Sequence, residues 1–542
     1  MSEVLKQPSV ISAAETKSNE LKSKDSAWLS YLPAVLAIVG SVLLVLLRIQ
    51  TGGERFISDG ALMMLALAAY LTAAVFHLTN LYAPTNWAQK LGLWCTTAGV
   101  FFNLASWGVR WVAAHDRELQ TFLSQGRTAA DMPWAFRYIP FANLYDLSLA
   151  FAFGAGITTL LIAHRKNFRF LGAISLPLAA LILLLARFIG GEFIDLPPVL
   201  DSYWRPIHVG IASLSYGIAL VCFAVAVVYL LKDGVKTEAM AIWSSIFAIA
   251  VLATVSKFSL FAPSTFGTYT ASTFFGDARS PLGLRANIPY VGWMMVAAGL
   301  LLAGTIAAFA VYLFRHSQAA RAWGHRMLKL ALVAQGCAIV LFVSQVKSAT
   351  VIKPCAETPQ AGVACIDEGQ YERFAIWFRQ DQKQSPEQIA MLSSAQLKAE
   401  GEQLVQQNYP MFKVGLKANP VEFSALVTAF AGTLFAIIFS FRTEKLRAHL
   451  PPAEKLDSLM YKTAGVAFAG LALLLMTGAV WANESWGRYW GWDSKETGAF
   501  VAWLTYGAFL HSRIARGWHG RRSAYFAIVA FLLVIFTYLG VS

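Results

Sequence analysis

Long stretches without a charged residue recur along this chain of 542 residues, and they limit what it can fold into. A helix needs about 20 apolar residues to cross a bilayer. Only 14% of the residues are charged, whereas soluble domains carry about 25%. The sequence therefore predicts an all-α fold, a polytopic transmembrane helical bundle of about thirteen spans: 26–47, 60–82, 91–109, 147–164, 170–186, 206–231, 239–256, 286–314, 330–346, 423–441, 463–483, 497–512 and 523–542.

The distribution of Lys and Arg predicts how the bundle is oriented. With a cytoplasmic N-terminus, the predicted inner segments hold 23 Lys and Arg in 91 residues, and the short outer loops hold 13 in 110. Cytoplasmic loops are enriched in these residues. We therefore expect the N-terminus inside and the C-terminus outside. The net charge of +13 is then mostly a topology signal, and nucleic acid is not an expected partner.

Three of the nine histidines, His77, His208 and His511, lie inside or at the mouths of predicted spans. A neutral imidazole costs less than a charge in lipid, and its free nitrogen is a good ligand for iron. The alternative for each one is a histidine that hydrogen-bonds between helices. His115 lies in a predicted outer loop at 110–146, and the remaining five lie among cations at the inner face.

A tryptophan-rich segment is the most specific feature of the sequence. Residues 486–497 read WGRYWGWDSKET, and five of the 17 tryptophans lie between Trp481 and Trp503. Indole rings offer wide apolar faces, and glycines allow close approach of a flat ligand. Arg488 is a candidate partner for anionic groups. A flat, apolar, anionic ligand such as haem fits a site formed by Trp486, Tyr489, Trp490, Trp492, Asp493, Lys495 and Glu496.

This segment, with Leu510-His511-Ser-Arg513 after it, resembles the tryptophan-rich WWD haem-handling signature of cytochrome c assembly proteins of the CcsA/ResC type. Asn143-Leu-Tyr-Asp146 and the run from Ser202 to His208 resemble further elements of that family. The resemblance is close over about 90 C-terminal residues, from Leu456 to Val541, and looser over 130–231.

The resemblance implies a multi-pass protein of the plasma (inner) membrane that exports haem or holds it at the outer face. Haem b is then a transient substrate, joined to the Cys-x-x-Cys-His motif of apocytochrome c. The expected partner is a membrane protein of the CcsB/ResB type, and the chain is then a component of a holocytochrome c synthase. His208 is implied as an axial iron ligand at the outer face, and His511 as a ligand of a second, inner haem. His77 or a partner residue is the candidate for the other side of the inner haem.

Several positions depart from the family pattern. The family usually has Pro at 494, Trp at 498 and Glu at 146, where this chain has Ser494, Gly498 and Asp146. The family also continues past the Phe-Thr-Tyr-x-Gly element to a second outer histidine. Since this sequence stops at Ser542, we expect His115, a partner residue, water or the substrate's own histidine to fill that position.

The predicted organisation has four parts. These are a cytoplasmic tail at 1–25, a membrane half at 26–231 that carries His208, inserted spans at 232–455 and a WWD membrane region at 456–542. The inserted spans enclose an outer domain at 347–422. There Ser385-Pro-Glu-Gln388 predicts the capped start of a helix to about Gln407, and Cys355 and Cys365 are expected to form a disulfide.

Three other functions remain open at this stage. A transporter of another solute is disfavoured because no repeat is visible and each span can be drawn without a central charge. A quinone-linked electron-transfer subunit would hold permanent haems between histidine pairs. An assembly scaffold would not bind haem at all.

Overall fold

The computed structural model describes most of the chain. The described residues are 31–52, 57–141, 143–163, 165–189, 193, 198–255, 268–275, 282–348, 351–355, 363–382, 384–385, 388–389, 391–407, 417–418, 420–440 and 443–540. The predicted cytoplasmic tail at 1–25 and the first residues of the span at 26–47 lie outside these ranges.

Nine helices from the two ends of the chain share one buried core, and we call them the main bundle. The largest contacts within this set join α6 (Trp204–Lys232) with α14 (Ala453–Trp486), and α2 (Asp59–Tyr82) with α3 (Asn86–Ser124). Helices distant in sequence therefore pack side by side. They are α1 (Leu32–Gln50), α2 (Asp59–Tyr82), α3 (Asn86–Ser124), α4 (Leu144–Ala163), α5 (Gly172–Ile189), α6 (Trp204–Lys232), α14 (Ala453–Trp486), α15 (Ser494–Arg516) and α16 (Arg521–Ile535).

A second core lies in the middle of the chain. It is formed mainly by four apolar helices and by a domain of strands and short helices next to them. We call the four helices the inserted bundle, after the predicted organisation, in which 232–455 is an insert; that prediction is not tested by the structure. The inserted bundle consists of α7 (Thr237–Val255), α8 (Val291–Arg315), α9 (Gln318–Ser348) and α12 (Pro420–Ser440), and the short α13 (Thr443–His449) leads back to the main bundle.

The small domain contains a five-stranded sheet that the sequence analysis did not predict. The strand order is β3-β4-β2-β1-β5, with β3 and β4 parallel and the other pairs antiparallel. Two helices, α10 (Tyr371–Asp381) and α11 (Ser394–Gln406), pack against each other beside it. The strands are β1 (Thr268–Phe275), β2 (Leu282–Pro289), β3 (Val351–Pro354), β4 (Val363–Ile366) and β5 (Lys417–Ala418).

The polytopic helical bundle is confirmed. Within the described ranges, nine helices are long and apolar enough to cross a membrane, or ten if α12 and α13, bent by 82°, form one broken span. The other three predicted spans lie in α3, α7 and α15, which are helical but shorter or more polar. The count of thirteen spans stays a prediction, and so does the orientation with the N-terminus inside and the C-terminus outside.

Local sequence signals explain where the helices of the site begin and end. The hydroxyl of Ser58 accepts a hydrogen bond from the Ala61 N–H and caps α2, and Asp493 caps α15 by accepting from the Glu496 N–H at 2.7 Å. Helix α14 ends at Gly487, whose φ of 69° is left-handed and suits a residue without a Cβ.

The structure changes two local expectations. Helix α3 does not end near residue 109 but continues to Ser124, so His115 lies on a helix and not in a loop. The extension is fixed because Arg48 pairs with Asp116 at 3.0 Å and the Trp111 indole N–H donates to the Ala135 carbonyl. Charged residues in this stretch therefore do not mark the end of the helix.

The outer segment follows the sequence in part. Cys355 and Cys365 form the expected disulfide beside β3 and β4. Ser385 and Gln388 make the expected reciprocal hydrogen bonds, but the helix is interrupted at 391–393 and a second capping box at Ser393 starts α11. The prediction of one continuous helix to Gln407 was therefore wrong, because the second cap restarts it.

Candidate functional site at the tryptophan end of the main bundle

The segment Trp486–Trp492, which we call the tryptophan segment, connects α14 to α15. Its fold is set by the polar residues that follow it. Glu496 accepts a hydrogen bond from the Gly491 N–H at 2.7 Å, and Asp493 caps α15. Trp492 has a φ of 57°, which is rare for a large residue. The two acidic residues therefore hold the segment together, and Trp492, in its strained backbone conformation, is exposed.

Aromatic contacts continue from this segment along α15 and α14. The rings of Trp490 and Trp492 meet edge to face at 5.6 Å, and Phe500 connects them to Trp503, which stacks on Phe468. The outermost aromatic rings are exposed, with 50% of Trp486, 62% of Tyr489 and 69% of Trp492 accessible. The result is an aromatic surface with a packed base and an open rim.

Gly498 lies behind this surface at a point where α15 touches the end of α16. A Cβ at this position would lie 2.7 Å from the Thr537 hydroxyl. The indole that the family usually carries here has no room in this arrangement. The glycine is therefore a packing requirement of this chain.

His208 lies in the first turns of α6 and faces the last turns of α14. Its Nδ1 is 3.0 Å from the Leu474 carbonyl oxygen, and its ring centroid is 5.7 Å from that of Trp481. A Cβ on Gly478 would lie 2.8 Å from the imidazole, so this glycine makes room for the ring. A carbonyl only accepts, so Nδ1 carries the proton and the neutral ring keeps its lone pair on Nε2.

The element Asn143–Asp146 forms a buried ionic cluster at the same end of the bundle. Asn143 accepts from the Asp146 N–H at 2.9 Å, which caps the start of α4. The Arg110 guanidinium, only 1% exposed, donates to the Asp146 carboxylate and lies 3.3 Å from Asp59, which also accepts from the Tyr145 hydroxyl. The motif therefore ties α2, α3 and α4 together.

The segment after α3 contacts His115 and the residues that precede His208. Arg137 makes two hydrogen bonds to one carboxylate oxygen of Asp201, at 2.9 and 3.1 Å. The hydrogen bonds to Asp201 raise the pKa of Arg137, so that the pair stays charged. The next residue, Tyr138, contacts the His115 ring edge to face at 5.6 Å. His115 thus lies on the same end of the bundle as His208, although no direct contact between them is described.

The two histidines expected at the opposite end differ in environment. His77 is 2% exposed, and its Nε2 lies 3.1 Å from the Thr96 hydroxyl. Gly92 and Gly172 lie against the imidazole, where a Cβ would contact the ring. His511 lies on the exposed side of α15 near its end. The described contacts of the His77 ring come from α3 and the start of α5, and none of them is His511.

The residues at the tryptophan end fit a flat anionic ligand such as haem. The indole N–H groups of Trp481, Trp490 and Trp503 are buried without a hydrogen-bond acceptor among the described residues, although such donors are normally satisfied. The Nε2 lone pair of His208 suits iron, and Arg488 and Lys495 on the exposed rim suit carboxylates.

Sequence analysis found the tryptophan segment and His208 but missed the groups that seat the histidine. Leu474, Thr477 and Gly478 contact the His208 ring across more than 260 residues of sequence. Their spacing on α14 carries no recognisable signal. The buried Arg110 was also missed, because it was taken as the residue that ends a span.

Comparison with known proteins defines the family. The family model described as "Cytochrome C assembly protein" matches residues 141–336 and 419–542. These ranges cover more than half of the chain, which therefore belongs to the cytochrome c assembly protein family. The match includes α7, α8 and α12, and the unmatched stretch 337–418 corresponds largely to the small domain.

The chain is also similar to individual proteins. It is 56% identical over 89 residues to cytochrome c biogenesis protein CcsA of Prochlorococcus marinus, and 50% identical over 93 residues to that of Parasynechococcus marenigrum. The matched stretches cover 16% and 17% of this chain, and 28% and 30% of the relatives.

Among solved structures, a cytochrome c heme lyase CcmF aligns with 89% of this chain and 77% of its own length, at 14% identity and a TM-score of 0.27. A TM-score of this size does not establish a common fold.

Proposed function

We propose that this chain binds haem at the tryptophan end of the main bundle, on the outer face of the plasma membrane, and presents it to apocytochrome c for covalent attachment. The observation that carries the proposal is the seat of His208: Nδ1 is fixed by the Leu474 carbonyl beside Trp481, which leaves Nε2 for iron. A hydrogen bond through the second nitrogen is the usual way to orient a metal-binding histidine.

The chain's own residues bind and orient. The tryptophan segment provides aromatic faces for the macrocycle. Arg488 and Lys495 lie on the exposed rim, where their positive charges can bind the propionates. Haem b, as the transient substrate, supplies two vinyl groups, and each adds one cysteine thiol of the Cys-x-x-Cys-His motif as a thioether. Catalysis by this chain is therefore mainly positioning.

The same proposal includes a second haem near the inner face, with His511 as one ligand and a residue of a CcsB/ResB-type partner as the other. The exposure of His511 on α15 supports a ligand that faces another subunit. His77 is the competing candidate. Loss of inner haem in His511→Ala but not in His77→Ala would favour the partner residue.

The test is haem content and maturation in the purified complex with its co-expressed partner. His208→Ala should lose most of the outer haem and stop holocytochrome c production, because the iron ligand is removed. His449→Ala is a matched control, since this exposed imidazole bonds only to its own helix at the Lys445 carbonyl among the described contacts. Full haem content and full maturation in His208→Ala would overturn the proposal.

A further inference from the structure

Arg205 is a buried cation one turn before His208 on α6. Only 7% of the residue is exposed, and among the described residues the closest carboxylate oxygen, on Asp201, is 4.0 Å from its Nη2. Burial of a charge is costly unless a close counter-ion and hydrogen bonds compensate for it. The Arg205 guanidinium therefore needs a counter-ion or hydrogen-bond acceptors in its buried environment.

The neighbouring Arg137 differs from Arg205 because it forms direct hydrogen bonds to a carboxylate. Arg137 binds Asp201 through Nε and Nη2 at 3.1 and 2.9 Å, and so occupies the carboxylate that Arg205 shares only at 4.0 Å. Arg205 donates one hydrogen bond, from Nη2 to the Arg137 carbonyl at 2.9 Å. Its Nε is buried without any hydrogen-bond partner among the described residues.

The position of Arg205 determines which ligand its unused donor suits. Residues three apart on a helix lie on neighbouring parts of one face, so the side chain of Arg205 lies next to that of His208 on the face of α6 from which His208 contacts α14. A guanidinium prefers a carboxylate or a phosphate as its partner. A ligand whose iron is held by His208 brings carboxylates to the rim around this histidine.

We propose that Arg205 binds a haem propionate and so selects the carboxylate form of the porphyrin at the outer site. This rests on the proposed function, because the carboxylate arrives with the haem that His208 holds. Arg488 and Lys495 lie on the exposed rim, whereas Arg205 is almost fully buried. One propionate is then bound in a desolvated environment, where a charge-assisted hydrogen bond is strongest.

The test compares haem with its dimethyl ester, in which both propionates are esterified and uncharged. The full-length protein, purified in nanodiscs, is titrated with each porphyrin and binding is followed by the Soret absorbance. The unmodified protein should bind haem at least about tenfold more tightly than the ester, the size of one charge-assisted hydrogen bond. Arg205→Gln should weaken haem binding by a similar factor and leave ester binding unchanged.

Variants separate the possible causes. Arg205→Lys keeps the charge and should retain part of the preference, which also covers the case in which Arg205→Gln does not fold. Arg127→Gln, at an exposed arginine of the same end, should leave the preference unchanged and so excludes a general charge effect. His208→Ala should weaken the binding of both porphyrins equally, because both contain the same iron.

The outcomes are distinguishable. If Arg205→Gln weakens both porphyrins equally, or if the unmodified protein has no preference, the inference is overturned while the proposed function stands. If the unmodified protein binds neither porphyrin, the proposed function fails as well. If phosphatidylglycerol in place of phosphatidylcholine raises the unfolding temperature of the unmodified protein but not of Arg205→Gln, the partner of Arg205 is an anionic lipid headgroup and the inference is overturned.

Discussion

The main bundle and the inserted bundle bury polar groups in different ways. In the main bundle, Arg110, Asp146, Arg205 and His208 gather at the end where the tryptophan segment lies. Among the described residues of the inserted bundle, the most buried ionic group is Glu238 at the start of α7, which lies 2.6 Å from Arg321 and 3.6 Å from the His325 imidazole. A polar cluster next to an exposed aromatic surface indicates a binding site, whereas the Glu238 group, which joins the start of α7 to the start of α9, indicates helix packing.

The Arg110 cluster should be the most costly of these features to break. Arg110→Met leaves Asp59 and Asp146 without their buried counter-ion, and loss of one partner of a buried ion pair costs about 3–5 kcal/mol. Arg379→Met, at a half-buried pair with Glu400 in the small domain, should cost about 1 kcal/mol or less. Unfolding by titration with sodium dodecyl sulfate measures both, and equal losses would contradict the difference between the two regions.

The disulfide tests the opposite side of the comparison. Replacing both Cys355 and Cys365 with Ser removes a cross-link over a sequence separation of 10, which is worth about 2–3 kcal/mol in the unfolded state. The small domain should become more sensitive to protease, while haem content and attachment stay near normal. Abolished attachment with an intact fold would instead indicate thiol exchange with the substrate.

The seat of His208 should be sensitive to a single methyl group. Gly478→Ala places a Cβ 2.8 Å from the imidazole, and overpacking of this kind costs about 1–3 kcal/mol. Gly465→Ala on the same helix meets no atom within 4 Å and gains the same helix propensity, so it is a matched control. Weaker haem binding is expected only in Gly478→Ala, measured by Soret titration; equal binding in both variants would contradict the seat.

The sequence predicted the helices of both bundles well because apolar length is a strong signal. The stretch 60–82, for example, is Asp59–Tyr82 in the structure. The sheet was missed because its strands come from places as distant as 268 and 417, and three of the five have four residues or fewer. The end of α3 was missed because Arg110 was taken as a boundary, although its charge is neutralised inside the protein by carboxylates of α2 and α4.

The site shows the same limit. The tryptophan segment is a local motif, and its caps at Asp493 and Glu496 could be predicted from nearest neighbours. The cavity for His208 depends on Gly478, and the charge balance of Arg205 depends on which arginine Asp201 prefers. Such contacts are set by packing between distant helices, and no spacing in a single sequence encodes them.

His115 gives the prediction with the smallest effect on stability. Its side chain is 36% exposed and its closest ionic neighbour is Asp116 at 3.8 Å, so His115→Ala should change the free energy of unfolding by about 0.5 kcal/mol or less. Its location beside Tyr138, on the same end as His208, makes it the candidate second ligand of the outer iron.

If His115 is that ligand, the His115→Ala protein shifts from a low-spin to a high-spin haem spectrum while remaining folded. His449→Ala, which removes an exposed imidazole from α13, should leave the spectrum unchanged. An unchanged low-spin spectrum and undiminished maturation in His115→Ala would assign the second ligand to a partner, to water or to the histidine of the incoming apocytochrome. In that case the main bundle supplies only one side of the iron, and the site is completed by whatever docks against the tryptophan segment.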